Sequence, residues 1–111
     1  MPRVFIVNEP LSSGKPFINF RPAYAYGQEM VHVLPAGEVV GDPATLIGSL
    51  RYGLQGFCED DYLLPVGDPL AIGCAIALAA QVTGGRLNVL RWDRVGRRYN
   101  AVAVDIGEVN A

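Results

Sequence analysis

A chain of 111 residues has the length of one domain, 1–111, and can bury about two-thirds of its unfolded surface without disulfides or metal. Half of the residues are hydrophobic and only 18% are charged, against roughly 25% in an average domain, so surplus apolar surface points to a homo-oligomer or another partner interface. The formal net charge of −2 excludes a general attraction to nucleic acid or anionic membrane, and the longest apolar stretch, Leu70 to Ala80, is too short to span a bilayer.

The chain opens with Val4–Val7, a short all-apolar run of the kind that forms a strand covered on both faces. Only four apolar residues separate Arg3 from Asn8, too few for a secretory signal. The two cysteines, Cys58 and Cys74, are no disulfide framework. A reducing, cytoplasmic setting is expected. Leu11 to Tyr26 has no clear period, and Ser12, Ser13, Gly14, Lys15 and Pro16 read as loop. Phe17 to Phe20 fits either a short strand or an apolar segment folded onto the core.

Met30–Leu34 is the second expected strand. Asp42-Pro43 then opens a helix, with aspartate at the cap and proline at the first helical position. Leu46, Ile47, Leu50 and Leu54 recur at helical spacing, and the helix should end near Gly56. Glu59, Asp60 and Asp61 could chelate a hard cation but read first as a solvated acidic turn before the strand Tyr62–Val66. Asp68-Pro69 opens a second helix that runs to about Val82 and closes at Gly84-Gly85. Apolar almost all round, it should be buried on most sides, by the sheet and by a second chain or the other elements. Leu87–Trp92 and Tyr99–Ile106 form an antiparallel hairpin around Val95-Gly96. The resulting β-β-α-β-α-β-β order predicts an α/β fold, a mostly parallel sheet with a C-terminal antiparallel hairpin edge.

One tetrapeptide occurs twice: Val40-Gly41-Asp42-Pro43 and Val66-Gly67-Asp68-Pro69 each open a helix after a strand. In a parallel sheet both openings lie at the carboxyl ends of the strands, where open α/β sheets bind ligands. Helix starts carry unpaired amides and the positive end of the macrodipole. With Asn8, Ser12, Ser13 and Lys15 from the first loop, residues Gly41, Asp42, Gly67 and Asp68 are therefore the expected contacts of an anionic small molecule. Against this stands plain capping, because a cap aspartate consumes amides and repels anions.

Catalytic equipment is sparse. His32 is the only histidine and sits in an alternating strand, where a structural role is usual. One histidine and two distant cysteines match no metal-ligand spacing, and Ser12 or Cys58 as nucleophile would have to borrow His32. No catalytic residue, metal or cofactor is assigned. The arginines of the last hairpin, Arg91, Arg94, Arg97 and Arg98, read first as a solvated cluster. Trp92, Arg94, Arg98 and Tyr99 are nevertheless the residues that could stack a base or dock on a partner, if they do more than pin the hairpin register.

Several pieces share a pattern: Val7-Asn8 closing the first strand, Tyr26-Gly27 before the second, and Asp60-Asp61-Tyr62-Leu63-Leu64 leading to Gly67 and an apolar helix. Gly85-Arg86-Leu87-Asn88-Val89-Leu90, Trp92-Asp93 and Tyr99 complete it. In these the chain resembles a family of small uncharacterised α/β proteins encoded by tailed bacteriophages, and Leu11 to Ala25 departs most from that pattern. The resemblance implies a phage setting, hence the host cytoplasm, and a stoichiometric role. The expectation is a non-enzymatic, oligomeric binding protein holding a nucleotide-like or other anionic ligand at the helix starts. The alternative is a protein–protein interaction module acting on a host protein through the hairpin or apolar surface.

Overall fold

A computed structural model describes residues 1–108. Its main sheet contains β1 (Arg3–Ile6), β4 (Glu29–His32), β5 (Tyr62–Leu64), β6 (Arg86–Asp93) and β7 (Arg98–Asp105), in the order β4-β1-β5-β6-β7. The first four run parallel and β7 returns antiparallel to β6, as the element order predicts. Apolar β1 lies inside the sheet with Val4, Phe5, Ile6 and Val7 at 0–1% exposure, which explains its unbroken hydrophobic run.

Both helices, α1 (Pro43–Gly53) and α2 (Pro69–Thr83), pack on one face. There Phe5, Val7, Leu63 and Leu87 meet Leu46, Leu50, Ala75, Leu78 and Ala79. The other face is covered by a short 3-10 helix, Arg21–Ala25, whose Ala23 packs with Val4, Ile6, Leu64, Leu90 and Tyr99. Phe17–Phe20 adopts neither helix nor strand; Phe20 folds against this second cluster while Phe17 stays exposed. The Ser12–Lys15 stretch is a miniature hairpin, β2 (Leu11–Ser12) with β3 (Lys15–Pro16). Its turn places Ser13 and Gly14 at φ 51 and 76, the double left-handed step of a type I′ hairpin turn.

α2 buries Ala71, Ala75, Leu78, Ala79 and Ala80, yet Leu70, Gly73, Ala77 and Val82 face outward in the single chain. The reason is geometric: α1 flanks it on one side only, and small residues let it sit close to the sheet without being enclosed. Asp61 is not a solvated turn residue. At 1% exposure it accepts hydrogen bonds from the Arg3 amide (2.9 Å), the Arg3 guanidinium (3.2 Å) and the Cys58 amide (2.9 Å). Arg3 also donates to the Gly56 carbonyl at 2.6 Å and lies over the Phe5 ring at 4.8 Å. A buried carboxylate with three donors thus ties the start of β1 to the approach to β5.

Candidate functional site

The chain leaves β1 toward the 3-10 face, whereas it leaves β4 and β5 toward the helix face. The carboxyl end of β1 is therefore the point where direction reverses, the place at which open α/β sheets form a crevice. A shallow cleft of about 660 Å³ lies there, lined among others by Asn8, Gly14, Gly37, Glu38, Gly67 and Asp68. Three expected contacts, Asn8, Gly67 and Asp68, border it. Ser12 and Lys15 pair with each other in the small hairpin, and both, with Ser13, point to solvent. Gly41 and Asp42 stand exposed at the start of α1 and do not line this cleft.

The polar groups at this edge are already engaged with one another. Asn8, 2% exposed, donates through Nδ2 to the carbonyls of Pro35 (3.2 Å) and Gly37 (3.0 Å). Its Oδ1 accepts the Asp68 amide at 3.0 Å, so one side chain clamps the loops after β1, β4 and β5. Asp42 caps the Thr45 amide at 2.8 Å and Asp68 caps the Ala71 amide at 3.0 Å. The Thr45 amide holds the Asp42 carboxyl below the usual carboxylate range. Pro43 and Pro69 carry no amide hydrogen, and the Leu46 and Ile72 amides bond back to Asp42 and Asp68. At the start of α2 the Leu70 amide stays outside these bonds. With Glu38 and Asp68 in the walls, the cleft offers an anion little beyond that one amide.

Gly67 shows why the clamp is tight. Its φ is +104, and a Cβ there would overlap the Asn8 carbonyl and side chain. A Gly67→Ala substitution should therefore lower stability by about 2–4 kcal/mol, read as a lowered midpoint in urea unfolding.

A second cleft, of about 600 Å³, opens on the opposite face at the carboxyl ends of β5 and β6. Ile18, Asn19 and Pro22 form one wall, Leu64–Val66 and Leu90 the floor, and Trp92, Arg97 and Tyr99 the other wall. Trp92 is half-exposed and meets the ring of Tyr99 edge-on, with centroids 4.9 Å apart at 64°. Tyr99 is 7% exposed, and burial raises its phenol above the ordinary range. The hairpin loop is shaped by Asp93, whose Oδ1 accepts the amides of Val95 and Gly96, both at 3.1 Å. Arg97 closes that loop at φ 53, which sets its side chain against the cleft. Arg98 instead approaches Asp93 at 3.9 Å across the strand pair, and Arg94 is exposed on the loop.

Of the expected hairpin surface, Trp92 and Tyr99 line this cleft while Arg94 and Arg98 do not. Arg97 takes the basic position; among the described residues its guanidinium has no hydrogen bond or ion pair. No local signal separated Arg97 from its neighbouring arginines, because the distinction rests on one left-handed backbone angle. Ile18, Asn19 and Pro22 were not legible at all, lying about seventy residues away in sequence. His32 is exposed, with Nδ1 4.0 Å from Glu9, and stands at the carboxyl end of β4. Cys58 precedes β5, at the opposite end of the sheet, and both cysteines are free thiols.

The sheet order, the helices on one face and the two clefts define a small open α/β protein with a cleft on each face of its carboxyl edge. A comparison with protein families places it further: the model for the Phage Pam3 gp32-like protein family matches residues 2–106, and the chain belongs to that family. This agrees with the resemblance to tailed-phage proteins drawn from its motifs. No curated protein and no solved structure matches the chain. Among the described residues, no helix is long and apolar enough to cross a membrane.

Proposed function

We propose that this phage-family protein is a non-enzymatic binding protein, acting in the host cytoplasm, that holds a nucleotide-like ligand in the cleft between Ile18–Pro22 and the C-terminal hairpin. The observation that carries this reading is the pairing of an aromatic wall, Trp92 on Tyr99, with the uncompensated guanidinium of Arg97. A planar base stacks on the half-exposed indole, while an attached phosphate takes Arg97 as a bidentate partner. Asn19, whose Oδ1 already accepts the Arg21 amide at 3.0 Å, leaves its Nδ2 to donate to the base edge. The mainly apolar floor of Leu64, Val66 and Leu90 suits a ring and not a hydrated ion. The cleft beside Asn8 has the opposite character, with acidic walls and amides already bonded.

Trp92 is the only tryptophan, so its fluorescence reports this cleft alone. Titration with nucleoside monophosphates and triphosphates should quench that emission and raise the melting temperature by mass action. Arg97→Ala should weaken binding of the phosphorylated forms about 10- to 100-fold and leave the free nucleosides unchanged. Unaltered emission with every nucleotide at millimolar concentration would overturn the reading.

One observation favours a second reading, a host-protein docking surface. Val95, at the hairpin tip, is 95% exposed close to Trp92, more apolar exposure than a small-molecule site needs. Under that reading Val95→Ser and Trp92→Ala both abolish capture of a host protein, whereas Val95→Ser leaves nucleotide quenching intact.

A further inference from the structure

We infer that the outer edge of β7 is a homodimer interface, at which two copies pair antiparallel about Ala103 and merge their sheets into one. The Ile106 amide donates to the Gly85 carbonyl at 3.0 Å, continuing the β6–β7 register beyond Arg86↔Asp105. Antiparallel ladders alternate every residue between bonded and non-bonded pairs. Tyr99, Ala101, Ala103 and Asp105 therefore fall in the non-bonded positions and turn their N–H and C=O groups away from β6. At Tyr99 that outward carbonyl is taken by the Tyr26 hydroxyl at 2.7 Å, which confirms the alternation and closes the hairpin end of the edge. From Ala101 to Asp105 no hydrogen bond among the described residues engages the outward backbone.

Edges of this kind are normally protected by charge, proline, a bulge or a cover. Tyr99–Val104 contains no charged residue and no proline, and its register with β6 is unbroken. The edge is instead built to match itself. A two-fold axis normal to the sheet runs two edge strands antiparallel while keeping each face on its own side, so even-numbered residues meet even-numbered ones. Centred on Ala103, the pairing joins Ala101 to Asp105 of the partner subunit, and Val102 to Val104 of the partner subunit. No like charges oppose each other. A centre nearer the hairpin would need the Tyr99 carbonyl that Tyr26 already holds.

Side-chain exposure agrees with this placement. Val102 and Val104 lie on the helix face opposite Val89 and Leu87, beyond the cover of α2, and are only half-buried. Ile106 and, on the last turn of α2, Val82 are 54% and 65% exposed. The two-fold brings both copies' Val102–Val104–Ile106 stripes side by side on the same face. Five paired residues bury less than a standard interface, so the expected Kd is on the order of micromolar. None of these residues lines the Trp92 cleft, so the dimer and the ligand reading stand or fall separately.

The test is light-scattering mass and hydrogen exchange across a dilution series, with 11.9 kDa marking the monomer. At high micromolar concentration the mass should double and the Ala101 and Ala103 amides should exchange slowly, both effects vanishing on dilution. Ala103→Pro removes two central inter-subunit bonds, yet Ala103 donates nothing to β6, so the hairpin ladder survives. It should weaken dimerisation about 10- to 100-fold at an unchanged circular dichroism spectrum. Should that variant not fold, Val104→Lys, which sets a charge against the apolar stripe, decides the matter in its place. A wild type that stays monomeric at high concentration, a dimer indifferent to the folded substitutions, or Ala101 and Ala103 amides exchanging freely within the dimer would each overturn the proposal.

Discussion

Replacing Asp61 with alanine is expected to destabilise the fold by about 3–5 kcal/mol, a large share of the 5–15 kcal/mol typical of a single domain. The carboxylate is buried, and its removal strands the amides of Arg3 and Cys58 together with a partly buried guanidinium. Thermal unfolding should show a melting temperature about 10–25 °C lower. Asparagine is no substitute, because its NH2 group must face a donor that an oxygen now accepts; about half the loss should persist. The pH dependence separates charge from shape. Burial pushes the Asp61 carboxyl up, but the bonds from Cys58 and Arg3 outweigh it and hold it below the ordinary carboxylate range. A lowered folded pKa gives stability that is present in full above the ordinary value of about 4 and lost as pH falls below it. The gap between wild type and Asp61→Asn should therefore be constant near neutrality and shrink below about pH 4. A gap independent of pH would show that the carboxylate's charge contributes nothing.

Substituting Asn8 with aspartate should be as damaging, at about 3–5 kcal/mol near neutral pH, although only one atom changes. Nδ2 of Asn8 donates to two carbonyls, those of Pro35 and Gly37, and a carboxylate oxygen in its place meets both as an unshielded acceptor. The site is 2% exposed, so water cannot relieve the conflict. Protonation restores one donor, and the variant should regain part of its stability on acidification while the wild type does not. Asn8→Ala loses the three bonds without adding repulsion and should cost about 2–4 kcal/mol with no such recovery. Urea unfolding at pH 7 and pH 5 distinguishes these outcomes. An aspartate variant as stable as wild type would mean that the three loops are held by their backbone bonds alone.

Much of the secondary structure was legible because its signals are local. Asp42-Pro43 and Asp68-Pro69 open helices where they stand, since an aspartate reaches an amide three residues on and proline is already bent for the first turn. Alternating Val102 and Val104 announced a strand with one covered face. The candidate site was less legible for the same reason. Trp92 and Tyr99 could be singled out as neighbours across a hairpin, but the wall of Ile18, Asn19 and Pro22 arrives from a segment with no period. Asn8 read as a loop asparagine, because its partners lie at Pro35, Gly37 and Asp68, in loops that converge only once three strands are side by side. Asp61 read as one of three solvated acids, and only the approach of Arg3 across β1 and β5 makes it a buried partner.

By itself, then, the sequence determined the two long helices and where they begin, and the parallel-then-hairpin order of the five-stranded sheet, but not the β2–β3 hairpin, the 3-10 helix or the end of α1 at Gly53. The legible features follow from capping, hydrophobic period and chain reach, all of which act over a few residues. The tertiary structure decided that β1 lies inside the sheet with the chain leaving it toward the 3-10 face, that Asn8 and Asp61 are buried clamps, that Arg97 faces the cleft, and that β7 is left as an open edge. Those outcomes depend on which distant backbone groups find each other, and hydrogen-bond partners separated by sixty residues leave no mark on the local pattern of either one.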